Sequence, residues 1–328
     1  MPDVVTFGEC MLRLSPPDFQ RLEQATQLNI TVGGSELNVA AGVARLGLTS
    51  AWISRLPENP LGRMVRNKAR EMGVDTSHLL WTRDDRLGLY FVEYGASPRA
   101  SSVLYDRSMS AIAHIQPGEV RWRAVFEGCR LFHVSGITPA LSDSAAAVTA
   151  EAITAAKAAG ALVSYDLNYR SKLWSQEKAR QIQTPFMDNV DILITTEEDT
   201  QAVFGVKEKD YETAAQRLSE TMGFKVVAVT LREDLSVWRN IWSAIAWADG
   251  RVYRDRNYEV EIVDRVGAGD SFTAGFLYGW LSGGDVQRGL QYGNAFAALK
   301  HTLPGDFNWT AREEVEALLQ GAGLRISR

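Results

Sequence analysis

Two glycines and a carboxylate stand where this chain is best suited to hold a phosphate. Residues 266–276 read Val-Gly-Ala-Gly-Asp-Ser-Phe-Thr-Ala-Gly-Phe, between an apolar run at 258–263 and a small-residue helix running toward Leu281. Gly267 and Gly269 permit positive φ and let backbone N–H groups crowd around one point. A helix that begins there adds its free N–H groups and the positive end of its dipole. The result is an anion site. Asp270 is then out of place, because a carboxylate repels phosphate unless a hydroxyl or a metal lies between them. An Asp beside an oxyanion cradle suits phosphoryl transfer, with the carboxylate as general base toward an acceptor hydroxyl.

Two other phosphate motifs do not fit. A dinucleotide fingerprint requires a third glycine where Phe272 sits, and a P-loop requires Gly-Lys-Ser/Thr, which is absent. A plain glycine turn between strand and helix explains Gly-Ala-Gly-Asp taken alone, but not the whole string. A second glycine pair, Gly33-Gly34, precedes another helix and brings backbone close to whatever lies beside it. Candidate anion partners elsewhere are Arg107, in a segment with Tyr90 and Tyr105, and Arg170, just after a strand end in Tyr165-Asp166-Leu167-Asn168-Tyr169-Arg170. Arginine offers a rigid fork that matches a carboxylate, and tyrosine a hydroxyl on a flat apolar wall.

The string at 266–276 resembles the signature of the ribokinase-like sugar kinases, the phosphofructokinase-B family. Val32-Gly33-Gly34-Ser35-Glu36-Leu37-Asn38-Val39-Ala40, continuing to Ala44-Arg45-Leu46-Gly47, resembles that family's N-terminal motif. The resemblance implies a three-layer α/β fold, ATP and Mg²⁺ as cofactors, Asp270 as base, and Gly267, Ala268 and Gly269 as the anion hole. It implies Gly33, Gly34 and Asn38 at the sugar, Asn168 between sugar and nucleotide, and Asn294 near the adenine. Asp264 matches a position that binds a monovalent cation, K⁺ in this reading. Tyr90, Tyr105, Arg107, Asn168 and Arg170, with the stretch 133–142, resemble the branch acting on 2-keto-3-deoxygluconate. The implied reaction is phosphoryl transfer to the C6 hydroxyl of that sugar acid. The alternatives are a fructokinase- or ribokinase-type enzyme, or a non-catalytic sugar-acid binder.

The chain departs from the family pattern twice. Thr196 and Asp199 stand where relatives carry Asn and Glu around magnesium, so Asp199 is left to act through water. Thr230-Leu231-Arg232-Glu233-Asp234-Leu235-Ser236 replaces a glycine-rich nucleotide loop, which leaves Thr230, Arg232 and Ser236 as nucleotide contacts of a modified loop.

The elements that must position these residues alternate. Strands are expected at 4–7, 49–54, 131–134, 161–165, 192–195 and 225–230. Helices are expected at 36–46 (capped by Ser35), 61–72 and 142–159. This is the rhythm of a mostly parallel sheet covered on both faces. Segments 9–31 and 87–107 lack helical period and are expected to form a small β lid over the sugar, which also serves as a dimer surface. Trp238, Trp242 and Trp247 are expected to pack rather than stack on a base.

The 328 residues are expected to form a single kinase domain, and 45% hydrophobic content supports a full core. A net charge of −5 argues against nucleic acid as a partner. No run is long and apolar enough for a membrane span. Two distant cysteines, and a start without a secretory signal, suit a cytoplasmic setting. His78, His114, His133 and His301 show no ligand spacing.

Overall fold

The computed structural model describes residues 1–321. In chain order the strands are β1 Val4–Phe7, β2 Met11–Ser15, β3 Asn29–Gly33, β4 Ser50–Ile53, β5 Arg55–Pro57, β6 Leu80–Thr82, β7 Gly88–Glu93 and β8 Ser102–Asp106. They continue with β9 Leu131–Ser135, β10 Leu162–Asp166, β11 Ile192–Thr195, β12 Val226–Ser236, β13 Arg239–Ala248, β14 Arg251–Arg254 and β15 Tyr258–Glu261. The α-helices are α1 Ser35–Leu46, α2 Pro60–Glu71, α3 Trp122–Val125, α4 Asp143–Ala158 and α5 Gln176–Gln183, then α6 Glu197–Phe204, α7 Tyr211–Met222, α8 Ala268–Gly283, α9 Val286–His301 and α10 Arg312–Leu319.

The main sheet has nine strands in the order β14-β13-β12-β11-β10-β9-β1-β4, with β15 also paired to β13. The six strands from β12 to β4 are parallel, and their apolar runs are buried on both faces. One face packs against α3, α4, α5 and α7, the other against α1, α8, α9 and α10. This is a three-layer α/β architecture with a mostly parallel central sheet, as expected. A second sheet of four strands, β3-β2-β7-β8, stands beside the first. It occupies the two stretches without helical period.

Most helix ends follow local chemistry. Ser142 caps α4 by accepting from the Ala145 N–H, and Gly47 closes α1 at φ 107°. Two expectations change. Ser35 is the first residue of α1 rather than its cap, and its hydroxyl points elsewhere. Residues 230–236 form no loop: β12 runs through them to Ser236 and pairs antiparallel with β13 along its length. The pairing of Leu231 with Ser243 and of Arg232 with Trp242 carries the ladder outward, and the turn falls only after Ser236.

Candidate active site

The C-terminal ends of β10 and β11 and the middle of β12 open into a cleft of about 530 Å³ between the main sheet and the lid, which also takes in Glu9 just beyond β1. Clefts at the carboxyl ends of parallel strands are where open α/β sheets bind ligands. Toward β1 the cleft is walled by Gly33, Gly34, Asn38, Tyr90, Tyr105 and Arg107. Toward β12 it is walled by Thr230, Arg232, Trp242, Arg265 and His301. Asn168, Arg170, Asp199 and the turn Gly267-Ala268-Gly269-Asp270 complete it. Residues more than 200 positions apart in sequence thus share one surface.

Asp270 lies in the first turn of α8. The Ser35 hydroxyl donates to its Oδ1 at 2.7 Å and the Asn38 Nδ2 to its Oδ2 at 2.6 Å. The Asn168 side chain in turn donates to Ser35 Oγ at 3.2 Å. Burial raises the Asp270 pKa above the usual carboxylate value, while the Asn38 and Ser35 bonds pull it back. The carboxylate is therefore oriented by neutral donors and keeps its charge available for a proton.

Gly267 caps α8 at φ 83°, and a Cβ there would also overlap the Asp306 carbonyl oxygen. The protein itself demands glycine at this position. Gly269 is different: a Cβ there meets nothing within 4 Å. Gly33 and Gly34 are fixed by protein neighbours, since Cβ atoms there would run into the Asp306 carboxylate and the Glu9 carbonyl.

The lid presents Tyr90 and Tyr105 side by side. They are paired across β7 and β8, with ring centroids 5.9 Å apart. Arg107 lines the cleft, but its charge is already partnered by buried Glu9, which also accepts from Ser110. Arg107, expected as an anion partner, thus already has a protein carboxylate beside it. Its Nε is buried without a partner among the described residues. Arg170 is exposed to the cleft and has no carboxylate within 4 Å among the described residues; its NH1 donates to the Tyr169 carbonyl.

Asp166 and Asp199 face the same floor. Burial raises both pKa values, and for Asp166 the nearby Asp199 and Asp270 charges raise it further. Thr196, in the place of the family's Asn, caps α6 by accepting from the Asp199 N–H at 3.0 Å. Two carboxylates that repel one another fit a divalent cation.

Three expected positions lie off the cleft. Ser236 sits at the far end of β12, carried away by the extended hairpin. Asn294 is fully buried within α9 and donates to Asp255 Oδ2 at 3.2 Å. Asp264 is no open cation ligand. Its Oδ1 accepts from the Val266 N–H at 3.0 Å. Its Oδ2 accepts from Tyr94 at 2.9 Å and Gly305 N–H at 2.9 Å and pairs with Arg13 at 2.8 Å. The residues present do not fit a monovalent ion on that carboxylate.

Sequence reasoning missed Glu9, Ser35, Asp166, Arg265 and Asp306 as cleft residues. Nothing in their local spacing marks them, since each is defined by a partner distant in sequence. Trp242 packs against Phe272 and His301, as expected of a packing residue, and also forms cleft wall.

The chain matches the pfkB family of carbohydrate kinases over residues 1–310 and belongs to that family. It is 40% identical over 326 residues to a 2-dehydro-3-deoxygalactonokinase from Haloferax volcanii, covering 99% of each chain. It is 31% identical to a 5-dehydro-2-deoxygluconokinase from Shouchella clausii, over 90% of this chain and 89% of that one. The crystal structure of 2-dehydro-3-deoxygluconokinase from Thermotoga maritima superposes with a TM-score of 0.95 at 43% identity, covering 97% of this chain and 98% of that one. The protein is an ATP-dependent sugar-acid kinase.

Proposed function

We propose that this member of the pfkB family transfers the γ-phosphoryl group of ATP to the C6 hydroxyl of 2-keto-3-deoxygluconate, giving 2-keto-3-deoxy-6-phosphogluconate and ADP. One observation carries the reading: Asp270 stands at the anion-holding turn of a cleft that is also lined by Tyr90, Tyr105, Arg107 and Arg170. A neutral sugar does not require the unpaired guanidinium group of Arg170; a sugar acid does.

In this reading the sugar lies between lid and sheet, its hydroxyls near Gly33, Gly34, Asn38 and Asn168, and its carboxylate toward Arg107 and Arg170. Asp270 accepts the C6 hydroxyl proton as the oxygen attacks phosphorus. The N–H groups of Gly267, Ala268 and Gly269 hold the developing charge on the transferring group. Asp166 and Asp199 would hold magnesium, directly or through water, and the metal would supply charge neutralisation on the phosphates. The nucleotide lies toward Thr230, Arg232 and Trp242. The lid excludes water from the transfer.

The test is ADP release with a panel of 2-keto-3-deoxygluconate, 2-keto-3-deoxygalactonate, 5-keto-2-deoxygluconate, fructose and ribose. The highest kcat/KM is expected for the first. The name of the Haloferax volcanii relative favours a second reading, in which the galactonate epimer is turned over equally well. Preference for fructose or ribose overturns both, and binding without turnover favours a sugar-acid binder.

The same reading makes the protein a cytoplasmic homodimer through the lid. On the sheet face opposite Tyr90, Ile30, Leu14, Phe91 and Leu104 form one cross-strand row, and Ile30 and Leu104 are 52% and 59% exposed. A small sheet with an apolar face left bare is unstable alone. Sedimentation is expected to show a dimer, and Leu104→Glu a monomer; a wild-type monomer at micromolar concentration removes the lid interface.

A further inference from the structure

Lys300 is fully buried in the last turn of α9, where a free ammonium group is costly unless it is bonded. Its Nζ leaves its own helix and donates to two backbone carbonyls, Asp264 O at 3.2 Å and Leu303 O at 3.1 Å. Those carbonyls belong to the two loops that hold the anion-binding turn from behind. The first runs from Asp264 into Gly267. The second runs from Thr302 to Asp306, whose carbonyl abuts Gly267 so closely that no side chain fits. The end of α9 ties the first loop again, because the His301 carbonyl accepts from Val263 N–H at 2.7 Å and Asp264 N–H at 3.1 Å.

The surrounding charges balance. Asp264 and Asp306 both pair with Arg13, at 2.8 and 3.0 Å, and the Lys300 ammonium feels the charge of both without pairing to either, so two buried carboxylates offset two buried cations. Burial lowers the Lys300 pKa, and the charges of Asp264 and Asp306 oppose that fall. A positive centre that gathers carbonyls from two loops is what a bound monovalent ion provides, and both oxygens of the Asp264 carboxylate are already engaged by protein donors.

We propose that Lys300 is a built-in cation for the anion-holding turn: its ammonium group fixes the Asp264–Gly267 and Thr302–Asp306 loops, and the enzyme works without K⁺. Lys300 is thus a positioning residue that acts on the reaction through the backbone of Gly267. The inference does not depend on which sugar acid is the substrate, and one arm of its test needs no substrate.

The wild-type protein is first titrated with K⁺ at constant ionic strength in tetramethylammonium buffer, read both by initial rate and by melting temperature. No saturable activation is expected, and no rise in melting temperature specific to K⁺ over Na⁺. Saturable activation, or a K⁺-specific rise, overturns the proposal without any variant. Lys300→Ala is then expected to lower kcat roughly a hundredfold, the scale of a misplaced reacting geometry, with the KM for the sugar acid changed far less. Methylammonium or K⁺ should restore part of that kcat in Lys300→Ala and leave the wild type unaffected. A folded Lys300→Met with wild-type kcat overturns the proposal. So does a Lys300→Ala whose loss no cation rescues while its melting temperature stays at the wild-type value.

Discussion

The front and back of the turn at 264–270 use the same residue type for opposite ends. At the front, Asp270 is held by a hydroxyl and an amide, and among the described residues no cation pairs with it within 4 Å. At the back, Asp264 and Asp306 are almost completely buried, and Arg13 bonds both. Tyr94 and Tyr90 of the lid donate to them as well, so the lid is anchored at this point. A carboxylate neutralised by a guanidinium group fixes structure. One oriented by neutral donors stays free to take a proton. The partner, more than the residue, decides the role.

Asp270→Asn gives the largest expected effect. It should lower kcat by roughly 10²–10⁴-fold, the worth of a positioned general base, and leave the melting temperature near wild type. A turnover near wild type would remove Asp270 from the mechanism. Because burial raises the Asp270 pKa, the base is protonated at a higher pH than an ordinary carboxylate. Activity should therefore fall as pH falls through that raised value, and the acidic limb should vanish from the residual rate of the Asn variant.

The back of the turn should respond in stability first. Arg13→Met strands two buried carboxylates against Lys300 alone. Its unfolding free energy in urea should drop by roughly 3–5 kcal/mol, the cost of breaking a buried ion pair. If Arg13→Met and Asp270→Asn unfold at the same urea concentration, the contrast between the two faces fails.

The arginines extend the comparison to the cleft wall. Arg170→Ala should raise KM for the sugar acid roughly ten- to hundredfold, since a charge-assisted contact is worth about 1.5–3 kcal/mol, and leave thermal stability unchanged. Arg107→Ala should reach a similar KM but also lower the melting temperature, because it leaves Glu9 buried without its partner. In both, the analogue bearing an alcohol in place of the carboxylate should lose little. Equal loss of acid and alcohol would make the arginines structural.

Gly269→Ala is the mildest change. No protein atom objects to the added methyl group, and alanine in a helix is favoured over glycine by about 0.5–1 kcal/mol. The variant should be as stable as wild type or more so. Yet kcat should fall by roughly tenfold or more, because the methyl group enters the space where the transferring phosphoryl group is placed. Unchanged kcat would mean that the phosphoryl group does not approach Gly269.

Sequence alone determined the alternation of strands and helices, because burial on both faces of a parallel sheet leaves a periodic record in the chain. It also determined the glycine turn that opens α8. Gly267, Ala268, Gly269 and Asp270 are contiguous, and the conformational demand on Gly267 is local. The length of β12 was not legible. Polar residues at 232–236 read as loop until β13 supplies a partner ladder, and pairing is a property of two segments. Tertiary structure alone decided the partners of the charges. Arg13 reaches Asp306 across 293 positions, and Ser35 reaches Asp270 across 235. No spacing within either segment encodes such a contact. An ionisable residue's role follows from the charge that folding places beside it, so the sequence named Asp264, Asp270 and Arg107 as candidates, while only the folded chain separated the paired charges from the free one.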